Sequence, residues 1–403
     1  MAIKMPKGKN TAQLQLENRS TLLKLLHRND HICRKDLAEM SGLTGAAVTN
    51  LVRDMIAVEL IKEDRDFESS LNRNAIPLQI NYQHFLGIGV NLRRDRLSYA
   101  LFNLNGQLLE KKQTLLQLEG PIDNVLQSIK EAIDYCICVS SGKGRVVGIG
   151  VSTPGPIHLG KGEISFLTHY PEWKAIPIKK YLKQQFSLPV ILDNNSNAVA
   201  LAEKWFGEGK EYQHMISFLI SKGIGAGIIL DGKIFHGAFG FAGEVGHMSI
   251  NYDGPLCDCG NRGCLELYCS TDALLKKAQT DYDIQVGSWD EFKNRVKNGD
   301  QTLAKLAFDS GRHLGYGIVN LVNTYNPELI VLNGDMNDFG IDWLETVKQA
   351  ATERLLPDAA SRLQIKFTSL QENPVLLGTL AMVSEFVFEQ PELSLFMDKP
   401  VIM

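Results

Sequence analysis

The spacing of hydrophobic residues changes near residue 85 and divides the chain into two parts. Before that point, apolar residues recur every three or four positions, as in Leu22, Leu23 and Leu26, which predicts amphipathic helices. After it, short apolar runs such as residues 85–90 and 146–152 end in polar or turn-forming residues and alternate with helical stretches, which predicts α/β structure. We therefore expect a small helical N-terminal domain followed by a larger α/β body.

The N-terminal part has the order helix, short turn, helix. Asn18 is expected to cap a first helix, and residues 34–40 form a second one. Gly42 allows a tight turn, and Thr44 can cap a third helix that runs to about residue 58 with an apolar buried face. After the third helix we expect a strand over 60–63, a wing loop over 64–77 and a return strand over 78–80. This order predicts a winged helix-turn-helix.

Small residues open the third helix, so its first turn can enter the major groove of DNA. The side chains that follow would then reach base edges or phosphates. The predicted DNA contacts are Arg34, Lys35, Thr44, Ala46, Thr49, Asn50, Arg53 and, in the wing, Arg73. The alternative is an ordinary three-helix packing module without DNA contacts.

The body alternates strands and helices in a way that predicts two α/β lobes. Ligands of such sheets bind at the carboxyl ends of the strands, so a cleft between the lobes is expected. The expected strands include 97–103, 108–113, 190–192, 216–220, 226–230 and 329–332, and the expected helices are 121–139, 198–206, 301–325, 341–354 and 375–389. The predicted division is a DNA-binding domain over 1–82, a first lobe over 83–193 plus 375–391, a second lobe over 194–374 and a poorly packed tail over 392–403.

Composition and charge agree with a DNA-binding head on an acidic body. The 403 residues are 44% hydrophobic and 22% charged, which is typical of a soluble globular protein. The sequence contains neither a bilayer-spanning apolar run nor the apolar core of a signal peptide, so we expect a cytoplasmic protein that does not bind membranes. Residues 1–35 contain eight Lys or Arg against Glu17 and Asp30, so this segment is basic although the net charge is −4.

The segment 244–266, EVGHMSINYDGPLCDCGNRGCLE, combines metal ligands with carboxylates. One His and three Cys fall within 18 residues, and several glycines allow the backbone to fold tightly around one point. Such a set suits a four-coordinate Zn²⁺ site with the ligands His247, Cys257, Cys259 and Cys264. The alternative is a chance cluster of redox or packing cysteines. The other cysteines, Cys33, Cys136, Cys138 and Cys269, are predicted to be buried thiols.

The segments ISKGIGAGIILDGKIFHGAFGFAGEVGH and CDCGNRGCLE closely resemble the ROK family of bacterial sugar-responsive repressors and sugar kinases. The resemblance covers about residues 85–390 and implies a two-lobed actin/hexokinase-like ATPase fold after the winged helix-turn-helix. The N-terminal domain matches the repressor branch, and NYDGPLCDCGNRGCLELY is most similar to regulators of the xylose-repressor type.

The resemblance also implies a sugar site. In the family, the residues at the five positions named below contact sugar hydroxyls. The His among them contacts the metal through one ring nitrogen and the sugar through the other. The residues that the resemblance assigns to the sugar are Asn194, Asn195, Glu244, His247 and Glu266.

Three departures from the kinase pattern argue against phosphoryl transfer. Asn195 stands where the kinases have a catalytic Asp, and an amide cannot act as a general base. Asp193 is two residues away and remains an alternative base. Residues 89–93 replace the family's DxGGT phosphate loop, and Leu92 is expected to crowd a phosphate. Lys222 replaces a Thr of the second phosphate loop, although a Lys can still attract an anion.

The wing also departs from the family, because residues 70–77 keep Arg73 and Pro77 of a Gly-Gly-Arg-Arg-Pro-like motif but lack its glycines. The favoured hypothesis is a repressor, not an enzyme, that binds operator DNA as a homodimer or a larger oligomer and releases it when a sugar binds between the lobes. The alternatives are an ATP-dependent sugar kinase with an accessory head and a repressor controlled by a protein partner.

Overall fold

A computed structural model of the chain describes residues 10–29, 31–64, 76–116, 118, 120–167 and 170–397. Most of the predicted wing, including Arg73, lies outside these residues. Within the part of the chain that is described, no helix is both long and apolar enough to cross a membrane.

The head is a three-helix domain with a two-stranded antiparallel sheet, as the pattern predicted. The helix α1 begins earlier than expected, because Asn10 and Gln13 form a capping box and Asn18 lies inside the helix. Thr44 caps α3 by accepting a hydrogen bond from the Ala47 backbone N–H. The elements are α1 (Thr11–Arg28), α2 (Arg34–Ser41), α3 (Gly45–Ala57), β1 (Ile61–Glu63) and β2 (Leu78–Ile80).

The first lobe is built on a sheet with the strand order β10-β6-β3-β4-β5. The strands β3, β4 and β5 form an antiparallel meander, and β6 and β10 add to β3 in parallel. A smaller three-stranded sheet, β7-β8-β9, was not predicted. The bounds are β3 (Phe85–Leu92), β4 (Arg96–Asn103), β5 (Leu108–Leu115), α4 (Ile122–Ser140), β6 (Arg145–Thr153), β7 (Ile157–His158), β8 (Glu163–Leu167), β9 (Tyr170–Ile176), α5 (Ile178–Gln185) and β10 (Val190–Asn194).

The second lobe repeats the strand topology of the first. Its sheet has the order β13-β12-β11-β14-β15, in which an antiparallel meander is again extended by two parallel strands. Its strands are β11 (Met215–Ile220), β12 (Ile224–Leu230), β13 (Lys233–Ile234), β14 (Leu329–Gly334) and β15 (Gln364–Phe367). Its helices are α7 (Glu266–Cys269), α8 (Thr271–Tyr282), α9 (Trp289–Lys297), α10 (Gln301–Tyr325), α11 (Gly340–Thr352) and α12 (Pro357–Arg362).

Two helices, α6 (Asn195–Phe206) and α13 (Pro374–Glu389), pack against each other between the two sheets. α13 covers β3 and β6 of the first lobe, and α6 covers β11 and β12 of the second. Gly378 permits this close packing, because a β-carbon there would overlap the carbonyl of Ala198 on α6. The two helices therefore join the lobes.

The head and the first lobe share one hydrophobic core. It contains Leu22 and Val52 of the head together with Phe85 of β3, Phe388 of α13 and Phe396. The expectation that the chain after Pro391 packs poorly is therefore wrong for residues 392–397, since Phe396 is buried and contacts Phe85 with a ring-centroid distance of 5.1 Å.

Two further expectations need correction. Cys138 is exposed and Cys33 only half-buried, whereas Cys136 and Cys269 are buried as expected. Leu92 lies in the core of the first lobe and does not line the cleft, so it cannot crowd a phosphate there. The alternation of the strand β3 turns its side chain to the other face of the sheet.

Candidate functional site

A cavity of about 1000 Å³ lies between the two lobes. Its floor consists of residues at or just after the carboxyl ends of β3, β6, β10, β11 and β14, which is where ligands of such sheets bind. These floor residues are Asn91, Thr153, Asn194, Ser221 and Gly334. All five residues that were assigned to the sugar, Asn194, Asn195, Glu244, His247 and Glu266, line this one cavity.

Asn194 and Asn195 lie where β10 passes into α6. The Asn194 side chain caps the helix by accepting a hydrogen bond from the Asn197 backbone N–H at 2.8 Å. The Asn195 side-chain oxygen accepts a hydrogen bond from the Asn91 amide at 2.8 Å, and Asn91 is buried in β3 and also donates to Ser152 at 2.9 Å. The Asn195 NH₂ group is therefore the part of this side chain that a ligand can meet, and it donates hydrogen bonds but accepts no proton.

Asp193, the alternative base, has both of its oxygens engaged within the protein. One of its oxygens accepts hydrogen bonds from the Asn194 backbone N–H and the Asn197 amide, both at 2.8 Å, and the other lies 2.7 Å from Nε2 of His236. Asp193 is buried and is not part of the cavity lining. Burial alone would lower the pKa of His236, but the hydrogen bond to Asp193 and its negative charge leave that pKa raised. Asp193 thus anchors the start of α6 to the second lobe.

Glu244 immediately precedes a single 3-10 turn of the second lobe, Val245–His247, and His247 is the last residue of that turn. Burial, which the neighbouring Glu266 reinforces and His247 opposes, raises the pKa of the Glu244 carboxyl. Glu266 is the first residue of α7, and its Oε1 lies 3.2 Å from Nδ1 of His247. Three groups that can bind hydroxyls thus face the cavity from one loop.

The same loop brings the four predicted metal ligands together. The ligand atoms of His247, Cys257, Cys259 and Cys264 all lie within 4.8 Å of one another. The Sγ atoms of Cys259 and Cys264 are 3.7 Å apart, and Sγ of Cys257 is 3.7 Å from Nδ1 of His247. Bond lengths of about 2.3 Å for Zn–S and about 2.0 Å for Zn–N in a tetrahedron place such atoms roughly 3.5–3.8 Å apart. The donor set therefore fits Zn²⁺.

One glycine makes this fold of the loop possible. Gly263 has a φ of +65°, and a β-carbon there would overlap the carbonyl of Asn251. The residues around it form two short antiparallel bridges, Ser249 with Cys264 and Leu256 with Arg262. Gly263 therefore allows the backbone to pass close to Asn251 directly before the ligand Cys264.

The other half of the cavity corresponds to the phosphate side of the fold, and its chemistry is mixed. Arg93, Arg94 and Lys222 line it, as do the carboxylates Asp335 and Glu372. The Ser221 hydroxyl donates a hydrogen bond to Asp335 at 2.6 Å, and this bond connects the β11–β12 turn to the end of β14. Cationic side chains and carboxylates therefore face this half together, and Asp335 is fixed in place by its bond to Ser221.

The predicted DNA-binding residues that are described lie at the surface of the head. Arg34 is half-buried and pairs with Glu63 at 2.8 Å, so a phosphate must compete for its guanidinium. The Thr49 hydroxyl donates to the carbonyl of Gly45 at 2.8 Å. The exposed residues are Lys35, Thr44, Ala46, Thr49, Asn50 and Arg53. Apart from Lys35 on α2, they lie at the start and along one side of α3, as a recognition helix requires.

Sequence reasoning missed Asn91 and His236, which hold Asn195 and Asp193. A buried Asn in the otherwise apolar strand 85–92 was a signal for Asn91, because a buried amide needs partners. His236 carried no comparable signal, since its partner is 43 positions away.

Comparisons with known proteins add independent findings. The sequence profile of the ROK family matches residues 87–385, and a winged helix-turn-helix DNA-binding profile matches residues 16–62. A xylose repressor from Caldicellulosiruptor bescii is 31% identical over 399 residues, which cover 96% of this chain and 99% of the relative. A glucokinase from Thermotoga maritima is 26% identical over 74% of this chain and 97% of its own length.

Among solved structures, a ROK family transcriptional regulator that is described as a homologue of the Escherichia coli Mlc protein superposes with a TM-score of 0.84. It is 27% identical, and the match covers 94% of this chain and 97% of that one. The match extends over both the head and the body, whereas the glucokinase match leaves about a quarter of this chain uncovered.

Proposed function

The chain belongs to the ROK family, and we infer that it is a DNA-binding transcriptional repressor that responds to a sugar. The observation that carries this function is the combination of a helix-turn-helix head and a polar interlobe cavity within one chain. The match to a repressor over 96% of the chain, head included, supports it. The proposed domain division is 1–82, 83–193 with 375–391, 194–374 and a tail over 392–403, whose Phe396 packs into the core shared by the head and the first lobe.

We propose that the protein is not an enzyme. Asn195 replaces the base, and both oxygens of Asp193 are engaged elsewhere. The likeness to a glucokinase makes a direct test necessary. Release of ADP from ATP and Mg²⁺ in the presence of D-xylose or D-glucose would overturn this part of the proposal.

We propose that the sugar contacts Asn194, Asn195, Glu244, His247 and Glu266 in the cavity. D-Xylose is the first candidate, because the relative that matches 96% of the chain is a xylose repressor. The sugar must bind the two conformations of the body with different affinities, since equal affinities would leave the equilibrium unchanged. Closure of the lobes on the sugar then lowers the affinity of the head for its operator.

Zn²⁺ is the proposed cofactor, held by His247, Cys257, Cys259 and Cys264. When bound, it supplies a rigid cross-link for a loop that has little regular structure. The loop itself presents Glu244 and Glu266 to the cavity. The role of Zn²⁺ is therefore structural, and its binding has a direct effect on sugar recognition.

Operator DNA is the proposed macromolecular partner, and the DNA contacts remain the predicted ones on α2, α3 and the wing. A homodimer would present two heads to a palindromic operator. A protein that binds operator DNA in a bacterial cell acts in the cytoplasm. Release of DNA by a cell extract without any sugar would favour the alternative of control by a protein partner.

The test is a thermal-shift assay of zinc-loaded protein with D-xylose, D-glucose and N-acetyl-D-glucosamine. At least one of these sugars is expected to raise the Tm, and Glu244→Ala is expected to abolish the rise because it removes a hydroxyl-binding carboxylate. Glu372→Ala is the matched control, since Glu372 lines the phosphate half of the same cavity. A Tm that none of the sugars changes would contradict the sugar response.

The DNA half of the proposal needs its own measurement. Duplexes selected from a random pool by the sugar-free protein should bind with nanomolar affinity and lose affinity steeply as salt rises. Arg53→Ala should weaken this binding, because Arg53 is exposed on the recognition helix. Failure to retain any duplex at low salt would contradict DNA binding and leave the sugar result intact.

A further inference from the structure

Both interlobe helices begin at the cavity. Asn194 caps α6, and Asn195 is its first residue. Asn373 caps α13 by accepting hydrogen bonds from the Val375 and Leu376 backbone N–H groups. The residues Asn194, Asn195, Ser196, Asn373, Pro374 and Val375 all line the cavity. A ligand in the cavity therefore meets the first turn of both helices.

Both helices end at the head. Trp205, near the end of α6, lies 4.8 Å from the ring of His27 on α1. Phe388, near the end of α13, lies 5.2 Å from the same ring, and Trp205 and Phe388 are 5.0 Å apart. His27 also shares a 2.7 Å hydrogen bond with the Tyr82 hydroxyl.

Two polar contacts add to this aromatic cluster. Lys24 of α1 pairs with Glu389, the last residue of α13, at 2.6 Å. Arg19 donates a hydrogen bond to the carbonyl of Pro391 at 2.8 Å. One side of α1 is thus held by the ends of both interlobe helices and the segment that follows.

The pair of helices is stiff enough to carry a displacement. α6 and α13 have 12 and 16 residues, or about 18 and 24 Å at 1.5 Å per residue. Their contact at Gly378 leaves no room for a side chain, and close-packed interfaces move as units or switch between discrete arrangements. A displacement of the first turns of α6 and α13 is therefore carried to Trp205 and Phe388 with little reduction in its size.

We propose that α6 and α13 transmit the state of the cavity to the DNA-binding head, and that His27, held against Trp205 and Phe388, is the residue through which they act. This inference rests on the proposed function, and it names the route by which a sugar changes operator affinity. His27 is a positioning residue: it faces the body from α1, whereas the predicted DNA contacts lie on α2, α3 and the wing.

A second contact between the head and the body provides a control. His84, just before β3, pairs with Glu59 of the head at 3.0 Å and packs edge-on against Phe85 at 4.9 Å. Like His27, it is a half-buried histidine that packs against an aromatic ring, but it touches neither interlobe helix by these contacts. If any weakened contact between head and body disturbed the response, His84→Ala would act like His27→Ala.

The experiment compares wild type, His27→Ala, Trp205→Leu and His84→Ala, each first shown to be folded by its thermal transition. D-Xylose is titrated calorimetrically, with D-glucose and N-acetyl-D-glucosamine alongside, and affinity for a selected duplex is measured with and without sugar. Sugar should weaken duplex binding by wild type and His84→Ala by about 5-fold or more, a typical allosteric coupling. His27→Ala and Trp205→Leu should keep both separate affinities, but the effect of sugar should fall below about 2-fold.

Hydrogen exchange gives a second readout that needs no DNA. Sugar should slow exchange at residues 194–200 in all four proteins, and should change exchange at residues 22–28 only in wild type and His84→Ala. Full coupling in both His27→Ala and Trp205→Leu would overturn the proposed route. An equal loss of coupling in His84→Ala would overturn the specificity of this route. Absence of sugar binding by the wild type would instead overturn the proposed function, and the calorimetric arm identifies that case.

Discussion

Glu385 is an acidic side chain on α13 that lies in an unfavourable environment. Burial, with the negative charges of Glu389 and Asp193 adding to it, raises the pKa of the Glu385 carboxyl to about 7, and His236 and Lys233 offset only part of this effect. Its pKa in the unfolded chain is about 4.3. The folded protein therefore binds this proton more tightly than the unfolded chain does.

We predict that Glu385→Gln stabilises the protein at pH 8 and has little effect at pH 4.5. A carboxyl with a raised pKa in the folded state contributes stability below its unfolded pKa, and this contribution is lost as the pH rises towards 7. The gain at pH 8 should be about 3–4 kcal/mol, since the pKa rises from about 4.3 to about 7 and each pKa unit corresponds to about 1.4 kcal/mol. Urea denaturation at both pH values measures it, and an equal change at both would contradict the prediction.

At the scale of elements, strongly periodic segments were predicted closely and weakly periodic ones were not. The helix α10 and the strand β2 have the predicted bounds, because their apolar spacing and flanking residues agree. The start of α1 was missed, since the capping box at Asn10 lies in a polar stretch without apolar periodicity. α8 and α9 are mostly polar at the surface, so they gave no clear periodic signal.

In the candidate site too, residues that lie close together in the sequence could be predicted, and contacts between residues far apart in the sequence could not. The loop from Glu244 to Glu266 could be predicted because its ligands and carboxylates lie within 23 residues of one another in the sequence. The bond from Asn91 in β3 to Asn195 at the start of α6 joins residues 104 positions apart, and only the parallel register of the sheet brings them together. The role of Asp193 depends on its hydrogen bond with His236 in the other lobe, and no local sequence pattern indicates that bond.

We predict that Cys259→Ser lowers zinc content well below one ion per chain and weakens sugar binding at least several-fold. The sulfur is lost from the proposed ligand set, while its exposed position means that the change leaves no core cavity. Metal analysis together with calorimetry measures both effects. Cys138→Ser is the matched control, because Cys138 is an exposed thiol on α4 outside the loop. Normal sugar affinity in zinc-free Cys259→Ser would separate the metal from recognition.

At the scale of the whole molecule, the shared core of the head and the first lobe predicts that they unfold together. Phe396→Ala should cost about 3 kcal/mol, as is usual for a buried Phe, and should lower the stability of α1 and of β3 alike. Hydrogen exchange resolved by peptide measures both. Met397→Ala, at an exposed neighbour, should have little effect. Loss of protection confined to residues 392–397 would contradict a shared core.

The order in which the chain leaves the ribosome gives this shared core a further consequence. The head is synthesised before the body, but Phe388 and Phe396, against which it docks, follow it in the chain by roughly 300 residues. During translation the head can form its own helices long before the surface of the body against which it docks exists, since domains generally fold as units in the order of synthesis. Nascent chains therefore carry a DNA-binding head before the surface against which it packs has been made, and we expect control by sugar only after Phe388 and Phe396 have been added.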